Sequence, residues 1–74
     1  MKLFDALTLI KKEAETASQT FAKFNSCHEG YAVIKEELDE LWDEVKHKPK
    51  DFEKIKREAI QVGAMVLRFL TDLT

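Results

Sequence analysis

Glu36, Glu37 and Glu40 stand on one stretch of the chain, and Glu58 and Gln61 on a later one. Glu37-x-x-Glu40 puts two carboxylates one helical turn apart on a common face, and Glu58-x-x-Gln61 offers a carboxylate and an amide oxygen in the same arrangement. Together they present four oxygen donors from two helices, the hard-ligand set that suits Mg2+ or Mn2+. No His or Cys contributes, which argues against zinc. Four side chains leave coordination positions for water and for substrate phosphates, so the site is an open one. The acids are also crowded: from Glu36 to Glu44 six of nine positions are Asp or Glu. Like charges three or four apart on an isolated helix each cost roughly 0.2–0.5 kcal/mol. A chain that gathers acids this densely either leaves them in water or gives them a cation.

The elements that must hold these residues are helices. Tyr31, Ile34, Leu38, Leu41, Trp42 and Val45 recur at spacings of three and four and form an apolar stripe, with Glu37, Glu40 and Glu44 in a second stripe beside it. Ser26 followed by Glu29 reads as a capping box, hydroxyl to the Glu29 amide and carboxylate back to the Ser26 amide, so this helix starts near Cys27. It runs to about Lys46, because Pro49 and the residue before it leave the helical region. Asp51 then caps a further helix from Phe52 to about Leu73, and the short loop makes the two an antiparallel hairpin. From Ala59 to Leu70 only Gln61 and Arg68 are polar, which points to burial on several sides and to a self-association interface. Lys54, Glu58, Gln61, Arg68 and Asp72 fall in one narrow arc, a polar seam down an otherwise apolar helix. Upstream, Leu3, Leu7, Ile10, Ala14, Ala17, Phe21 and Phe24 alternate at four and three, the repeat of a long helix packed along its length. No chemistry attaches to that first helix.

Seventy-four residues, 45% hydrophobic and 35% charged, make one domain spanning residues 1–74. The fold class is all-α, a three-helix antiparallel bundle that completes its core as a homodimer or higher oligomer. The net charge of −2 and the absence of a basic face argue against nucleic-acid binding. Cys27 is alone, so no internal disulfide forms, and a reducing setting fits. No apolar run reaches signal-peptide or membrane-span length, so the expectation is a soluble, cytoplasmic protein without a membrane partner.

The stretch HEGYAVIKEELDELWDEV, followed by REAIQVGAMVLRFLTDL, resembles the MazG-like members of the all-α nucleoside triphosphate pyrophosphatases. That family carries EExxE on one helix and ExxD on the next. Glu36, Glu37 and Glu40 match the first element and Glu58 opens the second, while Gln61 stands where the family usually has Asp. The resemblance covers about residues 28–73. It implies hydrolysis of a nucleoside triphosphate between the α and β phosphates, giving a monophosphate and pyrophosphate with Mg2+ (or Mn2+) as cofactor, in a homodimer or tetramer. Carried over by position, Glu37, Glu40 and Glu58 are the catalytic metal ligands, and Gln61 is a weaker neutral ligand or binds through water. Glu36 either supports that shell or is merely solvated. Arg68 and Lys54 contact the phosphates or else pair with the acids opposite. Trp42 and Tyr31 could stack on a base, but their place on the apolar stripe favours core.

Two other readings compete. One is a non-catalytic acidic helical dimer that binds a nucleotide or a protein partner without turnover. The other is a carboxylate-bridged di-iron bundle, suggested by a single Glu44-x-x-His47.

Overall fold

The structure, a computed structural model, describes all 74 residues. Three helices follow one another, α1 (Leu3–Thr20), α2 (Cys27–Lys46) and α3 (Phe52–Leu73), with no strand. The all-helical class and the helix count agree with the spacing of apolar residues. The first helix is shorter than its repeat: α1 ends at Thr20, although the apolar positions continue to Phe24. The cause lies in α3. Arg68 Nη2 donates to the Ala22 carbonyl at 2.8 Å, and the Phe24 N–H donates to Asp72 Oδ2 at 3.2 Å. Backbone groups that another helical turn would use are thereby taken by side chains, and Phe24 folds into the core under the Arg68 guanidinium, 4.6 Å from its ring.

The start of α2 follows half of the expected capping box. The Glu29 N–H donates to Ser26 Oγ at 3.1 Å. The Glu29 carboxylate reaches one residue further back than expected, accepting from the Asn25 N–H at 3.1 Å and from Asn25 Nδ2 at 3.2 Å. At the other end α2 stops at Lys46, and the Lys50 ammonium donates to the orphan Val45 carbonyl, a common way to satisfy a helix terminus. Asp51 Oδ1 accepts from the N–H groups of Glu53 and Lys54, which starts α3 as anticipated.

Both other helices lie on α3. α2 runs antiparallel to it, with Gly30 under Phe69 and Leu73 at one end and Glu40 beside Glu58 toward the other. α1 runs in the same direction as α3, since Ile10 lies over Gly63 and Ala22 reaches Arg68. No Cα of α1 comes within 8 Å of one in α2. The arrangement is therefore open, with α3 in the middle, rather than a closed bundle. Gly30 permits the closest approach: a Cβ there would lie 2.6 Å from Phe69 Cδ2.

Seven residues are buried, and Ala14, Ala17, Phe24, Ala64 and Met65 form the core, with Val33, Ile34, Leu67, Phe69 and Leu73 around it. The apolar stripe of α2 is split by this geometry. Ile34, Leu41 and Val45 are half-buried, whereas Tyr31, Leu38 and Trp42 remain 63%, 50% and 58% exposed. The expectation that Tyr31 and Trp42 belong to the core therefore fails for this chain by itself. The stripe is wider than the contact that one helix makes, and α1 lies on the far side of α3.

Within α3 the buried Arg68–Asp72 pair, 3.7 Å apart with side chains 4% and 6% exposed, carries the two tertiary hydrogen bonds to Ala22 and Phe24. It joins α3 to the segment between α1 and α2 through Ala22 and Phe24. Removing one partner leaves a buried charge and an orphaned Phe24 N–H, and breaking such a pair costs about 3–5 kcal/mol. Asp72→Ala is expected to unfold the chain or bring its urea midpoint close to zero. Arg68→Met combined with Asp72→Leu, which removes both charges at once, should recover most of the loss. A midpoint unchanged by Asp72→Ala would show the tie to be idle.

Candidate functional site

The hairpin brings the acids together. α2 presents Glu37 and Glu40 one turn apart, α3 returns antiparallel, and Glu58 meets both, with one carboxylate oxygen from each residue lying within 4.8 Å of the others. Glu37 and Glu58 are half-buried and Glu40 is exposed. Oxygens bound at 2.0–2.6 Å around one divalent cation stand at most roughly 4–5 Å apart, so this spacing suits a shared ion. The donor set fits as well, being all carboxylate and free of sulfur or imidazole.

Their electrostatics are unsettled without a cation. Glu37 is raised from 4.5 to about 7, first by burial, then by the charges of Glu40 and Glu58, by a hydrogen bond with Glu40, and least by Glu36. Glu58 is raised too, again first by burial and then by Glu40, with Glu44 adding and Arg57 opposing. Glu58 Oε2 is buried and accepts no hydrogen bond. A buried carboxylate oxygen without a partner is costly, and two species relieve it: a proton or a metal ion.

The remaining residues singled out in the sequence lie as follows. Gln61 turns toward α1, where its Nε2 donates to Glu13 Oε1 at 2.7 Å, leaving Oε1 as the atom for a cation or water. Glu36 is exposed on the wall of a groove that Glu37 also lines. Lys54 lies elsewhere, in a pocket at the hairpin end with Glu44, His47 and Lys50. Of its two readings Arg68 takes the ion pair, though with Asp72 of its own helix rather than the acids opposite, and it also holds the Ala22 carbonyl and lies over the Phe24 ring. His47 Nδ1 sits 3.1 Å from the Pro49 carbonyl, and no histidine joins the acid cluster, so the di-iron reading has no geometry behind it.

The groove itself comes from the gap between α1 and α2. It encloses about 440 Å³ over a floor of α3, with Phe21, Phe24 and Met65 as its apolar part and Glu13, Glu36 and Glu37 among its acids. Arg68 is its one basic residue. Glu13 and Phe21 were missed in the sequence as site residues. The available signal was the line of Glu13, Thr16 and Thr20, spaced three and four beside the apolar repeat of α1.

The raised carboxyls set a pH dependence. The folded chain holds the Glu37 proton more tightly than the unfolded chain, so the contribution of Glu37 to metal-free stability falls as pH rises from about 4.5 to about 7 and stays low above that. Glu37→Gln removes this repulsion. Above pH 7, without divalent metal, it is expected to raise the thermal midpoint by several degrees, on the scale of roughly 4–8 °C per kcal/mol for a chain this size. A midpoint that drops instead, measured by circular dichroism across this pH range, would mean the carboxylate is held by a favourable partner.

No protein-family model matches the chain, and no curated protein or solved structure matches it either.

Proposed function

We propose that the chain is a Mg2+-dependent nucleoside triphosphate pyrophosphohydrolase, working as a homodimer or tetramer. The observation that supports it most is the convergence of Glu37, Glu40 and Glu58 beside an open groove, with Glu58 Oε2 lacking any partner. Bound there, Mg2+ would polarise phosphate oxygens and lower the pKa of an attacking water. The chain does the rest. Without metal the Glu37 carboxyl is raised to about 7 by burial and its acidic neighbours, so a cation would compete with a proton there. Glu40, the exposed member, faces incoming solvent, while half-buried Glu37 and Glu58 are held by the hairpin. Glu13 holds the Gln61 amide nitrogen, which leaves the amide oxygen as the atom that could take a water or a cation. The groove volume lies in the range of small-molecule sites, and its apolar part around Phe21 and Phe24 suits a base while Glu37 marks the phosphate end. Water adds to one phosphorus as the α–β bridging bond breaks, releasing a monophosphate and pyrophosphate.

The second reading, an acidic module that binds a partner without turnover, has its own support. A phosphate chain brings negative charge into a groove whose single basic side chain is already engaged. Pyrophosphate release from a panel of triphosphates with Mg2+ separates the two. Turnover is expected for the native chain and its loss for Glu37→Gln, with the fold retained by circular dichroism. No release from any triphosphate would leave the binding module.

Gln61 supplies a sharper test. An Asp at this position loses the hydrogen bond to Glu13 and sets carboxylate toward carboxylate. Gln61→Asp is therefore expected to lower the Mg2+ concentration needed only when combined with Glu13→Gln. Identical metal titrations for the native chain and the double variant would take residue 61 out of the ligand set.

A further inference from the structure

The side of the molecule away from the groove is apolar, and nothing in the chain covers it. On α3, Gln61 and Arg68 of the polar seam line the groove. About 180° round the helix lie Ala59, Val66 and Leu70, all exposed. The flank of α2 away from α1 adds Tyr31, Leu38 and Trp42, and Leu7 adds its side chain from α1. A folded monomer of 8.6 kDa exposes about 4,700 Å² by the usual scaling. This chain exposes 5676 Å². The excess of about 1,000 Å² belongs to the whole open chain, groove and back face together, and is of the order of the roughly 800 Å² that each partner contributes to a standard interface.

We propose that a second copy of this chain seats on that face, α3 against α3 about a twofold axis, with both grooves facing outward. The proposal takes the homo-oligomer from the functional reading and assigns its interface; it does not depend on the cation. Charge favours a like partner here. Glu13, Glu36, Glu37, Glu40 and Glu58 all gather on or beside the groove side, so two copies meeting through that side would oppose clustered negative charge. The opposite face has no such cluster, and at its rim Lys35 is already paired with Asp39 at 3.2 Å. A twofold contact is self-complementary by construction, and the small Ala59 lets two helices come close along the seam. Each copy then keeps its own acid site.

Light scattering on the size-exclusion peak is expected to give twice the 8.6 kDa chain mass. Val66→Glu and Leu70→Glu should each halve the mass while keeping the helical signal, and Glu36→Lys on the groove side should leave it doubled. A native chain of single mass overturns the proposal, as does a dimer that survives both substitutions. Should both variants fail to fold, the native thermal midpoint decides. It rises with protein concentration for a dimer, and a flat midpoint overturns the interface. Mn2+ binding, followed by calorimetry, keeps the two readings apart. Retention by the Leu70→Glu monomer supports independent sites, and loss on monomerisation overturns the outward-facing arrangement. A native dimer that binds no Mn2+ defeats the cation while leaving the interface standing.

Discussion

Every helix–helix contact in this chain passes through α3, because α1 and α2 do not meet. One helix therefore serves four directions. One flank takes α2 through Phe69 and Leu73, and another takes α1 through Gly63. Between them on one side runs the polar seam, and on the other side the bare line of Ala59, Val66 and Leu70. The groove exists because α1 and α2 are held apart by the width of α3, and the acids meet because α2 returns antiparallel along it. The Arg68–Asp72 pair then fixes where the chain leaves α1, so the open side is closed at one end by Phe24.

The cost of this plan falls on the acids. Burial of Glu37 and Glu58 removes water that would otherwise screen them, and Glu40 stands too near for both to stay charged comfortably. Such strain persists only when the surroundings over-determine it, and here the surroundings are a capped hairpin. Asp51 starts α3 and Lys50 holds the end of α2, so neither acid-bearing segment drifts far from the other. Repulsion of this kind is common at sites that trade stability for a ligand.

Much of the fold was legible because capping chemistry and apolar spacing are local. Ser26 and Asp51 mark helix starts by hydrogen bonds to amides two or three residues on, and those bonds form. The convergence of Glu37, Glu40 and Glu58 was also legible, since a short loop forces an antiparallel return and equal spacing then matches the faces. What escaped was non-local. The repeat through Phe24 says nothing about Arg68 and Asp72 capturing the backbone 46 and 48 residues away. Gln61 has one neighbour in sequence terms and another in space, and Glu13 became visible only once α1 was placed. The stripe of α2 showed that Tyr31, Leu38 and Trp42 want an apolar partner; it carried no information on whether that partner belongs to the same chain.

A thin core changes what stability means for this protein. With seven residues buried, the chain sits where small domains need help from a ligand, a metal or a partner. Anything that binds only the folded form adds stability by mass action, about 2.7 kcal/mol at a hundredfold excess over its dissociation constant. A divalent cation would act on the groove side by replacing the proton that Glu37 otherwise retains. A second copy would act on the opposite side by removing apolar surface from water. The two faces share α3 but no side chain, so their contributions should add, as they do for sites without common partners. If both proposals hold, folding, cation and association would be linked through one helix, its polar seam gaining from charge neutralisation and its apolar seam from burial.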